Sequence, residues 1–123
     1  YEMLRSLVGS EMCIRDRSVS LTSGTSVALD ISQGSVFTIT LAHNISTFTW
    51  SNPATSGDVS AFVLKVTQDG TGSRTIAFPA AVDFAGGTAP TLSTGANDVD
   101  VFVFFTVDAG TNYFGSTAGL DMT

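Results

Sequence analysis

The 123-residue chain has one cysteine, Cys13, so no disulfide framework within the chain can hold it together. It has one histidine, His43, one tryptophan, Trp50, and three prolines. Beyond Arg17 there is no glutamate, and the only basic side chains are Lys65 and Arg74, set against eight aspartates. The net charge of −6 argues against a nucleic-acid partner, because an acidic surface repels phosphate. No apolar run approaches the roughly 20 residues of a membrane-spanning helix, so a membrane is not expected as a partner either. Proton transfer and nucleophilic attack need groups that are scarce here. A Cys–His pair would require Cys13, and no serine stands in a Gly-x-Ser-x-Gly elbow. The chain reads as a non-enzyme, and no cofactor or metal is expected.

Threonine, serine and glycine are abundant instead, the residues of pleated surfaces and turns. After Arg17 no stretch carries a 3.6-residue apolar period, whereas period-2 alternation is common. The alternation predicts strands at 18–22, 25–31, 35–42 and 45–51, with Val27, Leu29, Phe37, Ile39, Leu41, Phe48 and Trp50 inward. Val59–Pro79 reads as a β-hairpin. Phe62, Leu64 and Val66 share one face of its first arm, and Ala61, Val63 and Lys65 share the other. Asp69–Ser73 forms its loop, and Arg74–Phe78 returns with Ile76 and Phe78 inward. Residues 80–95 form a long connection with a short strand near Thr91–Ser93. Asp98–Asp108 is apolar on both faces, which predicts a central strand covered on both sides, with Asn112–Thr117 as its hairpin partner. About ten residues separate successive strands, so we expect an all-β fold, an antiparallel, jelly-roll-like β-sandwich of eight or nine strands over residues 18–123.

Some residues invite a chemical reading. Asp98 and Asp100, two apart on a strand, share a face and could act as a carboxylate pair or bind calcium; they also suit charges that guard an apolar strand from aggregation. Trp50, Tyr113 and Phe114 could stack on a sugar, or could be core or subunit-interface aromatics. Asp69-Gly70-Thr71-Gly72-Ser73 lacks the lysine and helix of a phosphate loop and reads as a structural turn. His43 reads as a solvated turn residue. Asn44-Ile45-Ser46 fits a glycosylation triplet that would matter only in a eukaryotic secreted protein.

Two resemblances extend this reading. Leu7-Val8-Gly9-Ser10-Glu11-Met12-Cys13-Ile14-Arg15-Asp16-Arg17 resembles a translated sequencing adapter, which implies that residues 1–17 are a non-native adapter-derived or disordered leader outside the domain and the chain a metagenomic fragment. The competing reading is a short native helix or a signal-peptide remnant, although Arg5, Glu11 and Arg15 interrupt any apolar core. The remainder resembles a β-rich domain of bacteriophage tail-fibre and virion proteins. The resemblance is carried by Ser26–Asp30 with Val36–Leu41, by Val66–Thr75 with Gly86–Ser93, and by Asn97–Phe102 closing on Gly110–Gly115. It covers nearly all of 18–123 and supplies no catalytic residue. It implies a structural module of the virion, made in the bacterial host cytoplasm, that contacts other virion proteins and works as a homo-oligomer, with a trimer favoured because fibres are commonly threefold. The alternative function is a carbohydrate-binding or adhesin module that recognises a host-surface glycan.

Overall fold

The computed structural model describes residues 17–122. The adapter-like leader, apart from Arg17, lies outside the described residues, as does Cys13. Arg17 itself is tied to the domain, since its carbonyl accepts the amides of Ser35 (3.1 Å) and Val36 (3.3 Å).

The all-β expectation holds, with eight strands in two layers. The strands are β1 (Ser18–Leu21), β2 (Ser26–Asp30), β3 (Val36–Leu41), β4 (Thr47–Ser51), β5 (Ser60–Gln68), β6 (Val82–Phe84), β7 (Val99–Thr106) and β8 (Tyr113–Gly119). One layer is a six-stranded sheet in the order β1-β3-β5-β7-β8-β6, and the other is the pair β2-β4.

The expectation of an antiparallel, jelly-roll-like arrangement is corrected. β1, β3 and β5 run parallel, as do β2 with β4 and β8 with β6; β5–β7 and β7–β8 are the antiparallel pairs. From β1 to β5 the chain alternates between layers, so each step back into a sheet arrives parallel to the strand before last. Parallel neighbours need a crossover connection, normally a helix. Here a strand of the opposite layer takes that role, and the first half of the chain winds as a flattened coil.

The hairpin expected at Val59–Pro79 is also corrected. Its first arm is β5, but β5 pairs with β3 and β7, not with Arg74–Phe78. The chain leaves the sheet because the Gln68 side chain holds the returning segment in place of a ladder. Its Oε1 accepts the Arg74 amide (3.0 Å), and its Nε2 donates to the carbonyls of Arg74 and Ser93 (both 2.9 Å). Ile76 instead forms a single parallel bridge with Ile45. Ile76 and Phe78 do face the core, as their alternation predicts. The short strand expected at Thr91–Ser93 is absent from the described residues; the strand within the 80–95 connection is β6 instead, and Leu92 is buried.

The core lies between the layers. Phe37, Ile39, Leu41, Phe62, Leu64, Val66, Phe102 and Phe104 face Val27, Leu29 and Phe48. Aromatic rings dominate it: Trp50 lies 4.8 Å from Phe104 and 5.0 Å from both Phe62 and Tyr113, centre to centre. Such edge-to-face contacts add to the stabilisation from area burial. Gly115 permits this packing, because a Cβ there would overlap Phe84 and Phe104.

β7 is central in its sheet, as expected, but the described residues cover it on one face only. Phe102 and Phe104 are fully buried, whereas Val99, Val101 and Val103 are half-buried and Phe105 is 42% exposed.

Candidate functional site

Five carboxylates at strand ends and turns, those of Asp30, Asp69, Asp98, Asp100 and Asp108, accept backbone amides. Asp100, 2% exposed, accepts the amide of Ser93 on Oδ2 (2.8 Å) and that of Asp121 on Oδ1 (2.9 Å). Asp98 accepts the amide of Gly95 (2.7 Å). The two residues considered as a carboxylate pair thus fasten the loop Ser93–Gly95, and Asp100 also joins it to the chain after β8. Among the described residues no group of three or more His, Cys, Asp or Glu is placed to hold a metal ion.

The Asp69–Arg74 turn is built as its residues require. Asp69 Oδ1 accepts the amides of Thr71 (3.1 Å) and Gly72 (2.9 Å), and Oδ2 receives Arg74 Nη2 at 3.0 Å. The Arg74 hydrogen bond first, and the Gly72 amide next, hold the Asp69 carboxyl below its ordinary value. Gly72, not Gly70, supplies the left-handed residue, with φ +75°, and Ser73 follows at φ 59°. At the β7–β8 turn Asp108 accepts the Asn112 amide (3.0 Å) and the Thr106 hydroxyl (2.9 Å), and these bonds lower its carboxyl as well, the Asn112 amide most. Asp30 is lowered chiefly by the Ser32 hydroxyl, which donates to it at 2.6 Å. Beside the turn, burial pushes the Tyr113 phenol up, helped by the charge of Asp108.

His43 Nδ1 lies 3.3 Å from Ser23 Oγ at the surface, where the same hydroxyl accepts the Ala42 amide at 2.9 Å. The Asn44 side chain accepts the Thr75 amide at 3.1 Å. Both groups fasten turns.

The three aromatics considered as a platform divide between two faces, because neighbours on a strand point opposite ways. Trp50 and Tyr113 pack in the core, while Phe114, 45% exposed, stacks on Phe105 across the outer face at 5.4 Å. On that face, Val36, Val63 and Val103 lie in direct register on β3, β5 and β7, and Ala61, Phe105, Phe114 and Asp83 form the next row on β5, β7, β8 and β6. Phe105 escaped the sequence reading as a surface residue. Its signal was the second apolar face of Asp98–Asp108, read as buried.

The carboxylates described above fasten turns and loops, and the outer sheet face carries the exposed rings Phe105 and Phe114. Residues 21–112 match the family described as "Putative phage tail fibre C-terminal domain", and the chain belongs to that family. It is therefore a domain of the phage tail, a structural part of the virion. The match runs from the end of β1 to the turn before β8. No curated protein and no solved structure matches the chain.

Proposed function

We propose that the domain is a non-catalytic building block of a tail fibre or tail-associated protein, working as a homo-oligomer, with three copies as the expected number. The observation that carries this reading is the outer face of the six-stranded sheet. A β7 strand apolar on both sides is covered by the described residues on one side alone, and an assembled fibre supplies the missing cover. The commitment of Asp69, Asp98, Asp100 and Asp108 to backbone amides supports a structural role over acid–base chemistry. Other virion proteins are the further partners, and synthesis takes place in the bacterial host's cytoplasm. Sedimentation velocity tests the reading: the expected result is a concentration-dependent trimer, and a monomer at every concentration overturns it.

A second reading, adhesion to a host-surface glycan, draws on the exposed Phe105–Phe114 pair, since exposed ring faces can stack on sugars. A glycan array separates the two readings, because a purely structural module binds no sugar.

A further inference from the structure

We infer that copies of this chain join edge to edge, β6 of one copy adding to β1 of the next as a parallel strand, with Asp83 level with Ser20. This deepens the oligomer reading above and rests on it. β1 and β6 are the two ends of the six-stranded sheet, and among the described residues neither has a strand partner on its far side. An uncovered edge presents amides and carbonyls to any strand that can take them. β1 reads Ser-Val-Ser-Leu, with no charge or proline to blunt it.

Strand direction permits the joint. β1, β3 and β5 are parallel, β7 reverses, and β8 with β6 reverses again, so β1 and β6 point the same way. The hydrogen-bonding groups also match. The Val36 amide bonds the Arg17 carbonyl, so Arg17, Val19 and Leu21 address β3, and Ser18 and Ser20 turn their amides and carbonyls to the open edge. The Tyr113 amide bonds the Ala81 carbonyl, so Val82 and Phe84 turn theirs to the open edge of β6. The Val82 amide is already taken by the Pro79 carbonyl (3.0 Å). With Asp83 level with Ser20, the Ser20 amide donates to the Val82 carbonyl and the Phe84 amide donates to the Ser20 carbonyl; the engaged Val82 amide is not needed. The side chains agree with this register. Val82 and Phe84 fall beside Val19 and Leu21, all four half-buried at the margins of the core, and Asp83 falls beside Ser20 on the outer face.

Pairing like edges fits less well. Full overlap of β6 with β6 sets Asp83 against Asp83, and like charges directly opposite destabilise a strand pair. It also calls for the Val82 amide that Pro79 holds. β1 on β1 leaves β6 uncovered. A joint between unlike edges is heterologous: each copy gives one edge to each neighbour, and rotation about an axis along the strands closes a ring. Closed with the outer faces inward, a ring of three turns Phe105 and Phe114 of every copy toward one axis, which supplies the cover that β7 lacks.

The test is thiol cross-linking of the full chain, with Cys13→Ser so that only introduced thiols react. Ser20→Cys chains and Asp83→Cys chains are treated with a short bis-maleimide separately, and then after being mixed at low concentration and concentrated together. The two positions lie on opposite edges of one copy, about 24 Å apart across five strand spacings, so a link joins two copies. A cross-linked pair is expected in the mixture and in neither chain alone. Sedimentation of the wild type and Ser20→Pro, with circular dichroism to check folding, gives the second readout. Proline at Ser20 removes an amide that faces the open edge, and it should weaken self-association about tenfold or more while the fold is kept. Links within Ser20→Cys chains alone overturn the joint in favour of β1 on β1. A wild type that associates but shows no link in the mixture, or whose association a folded Ser20→Pro leaves unchanged, overturns the edge assignment while the oligomer reading stands. A wild type that is monomeric at every concentration overturns both. If Ser20→Pro does not fold, the cross-linking decides.

Discussion

Phe104 and Phe105 are neighbours on one strand with the same side chain, yet one is fully buried and the other 42% exposed. Tyr113 and Phe114 repeat the contrast on β8. Phe104 meets Trp50, Phe62, Phe78 and Phe84, all of its own chain, whereas Phe105 meets Phe114 and then solvent. The inner rings hold the fold, and the outer rings are free to hold something else. Hydrophobicity alone does not separate the two roles; position relative to the second layer does.

The largest effect is expected on the inside. Phe104→Ala should cost about 3–5 kcal/mol in urea unfolding, as for other buried phenylalanines. Phe105→Ala, measured on dissociated protein, should cost under about 1 kcal/mol. Equal losses would erase the distinction between the faces.

Asp100 sharpens the comparison at the polar end of the inner row. Asp100→Ala removes the acceptor from two buried or half-buried amide bonds and should cost about 2–4 kcal/mol by the same unfolding measurement. A change near zero would mean that the Ser93 loop and the segment after β8 dock without it.

A smaller effect is expected from the glycine pair in the Asp69–Arg74 turn. Gly72 has φ +75°, and a Cβ there would run into the Thr94 carbonyl, so Gly72→Ala should cost about 1–3 kcal/mol. Gly70 faces open space without a left-handed φ, so Gly70→Ala should leave the melting temperature unchanged within error.

The smallest effect is the pH dependence of the exposed carboxylates. Asp69 and Asp108 titrate below the model-peptide value of 3.8 in the folded chain. A lowered folded value means that the unfolded chain takes up protons first as pH falls. Stability from these groups is therefore fully present above about pH 4–5 and is lost through and below pH 4. Unfolding midpoints at pH 3 and pH 6 should differ less in Asp69→Asn than in the wild type, and high salt should shrink the difference for the Arg74 pair.

Much of the fold was legible because its signals are local. Alternation along β2, β3, β4, β5 and β7 marks strands, since a period of two has one structural meaning in a half-buried segment. The Asp69–Ser73 segment was legible as a structural turn, because an aspartate beside glycines favours a local reversal that its carboxylate can fasten. The paired use of Asp98 and Asp100 was not legible. Parity put them on one face, but only the Ser93–Gly95 loop, brought in from earlier in the chain, decided that they would accept its amides.

The sequence by itself therefore determined an all-β domain, the position of most strands, the inward set of Phe62, Leu64, Val66, Ile76 and Phe78, and an acidic, glycine-punctuated character. Tertiary structure decided the direction of pairing, because alternation reads the same in parallel and antiparallel ladders. It decided that Gln68 would close the chain after β5 in place of a second hairpin arm. It also decided which face of β7 would meet solvent. Two apolar faces on one strand look alike along the chain, and the distinction arises only when β2 and β4 cover one of them.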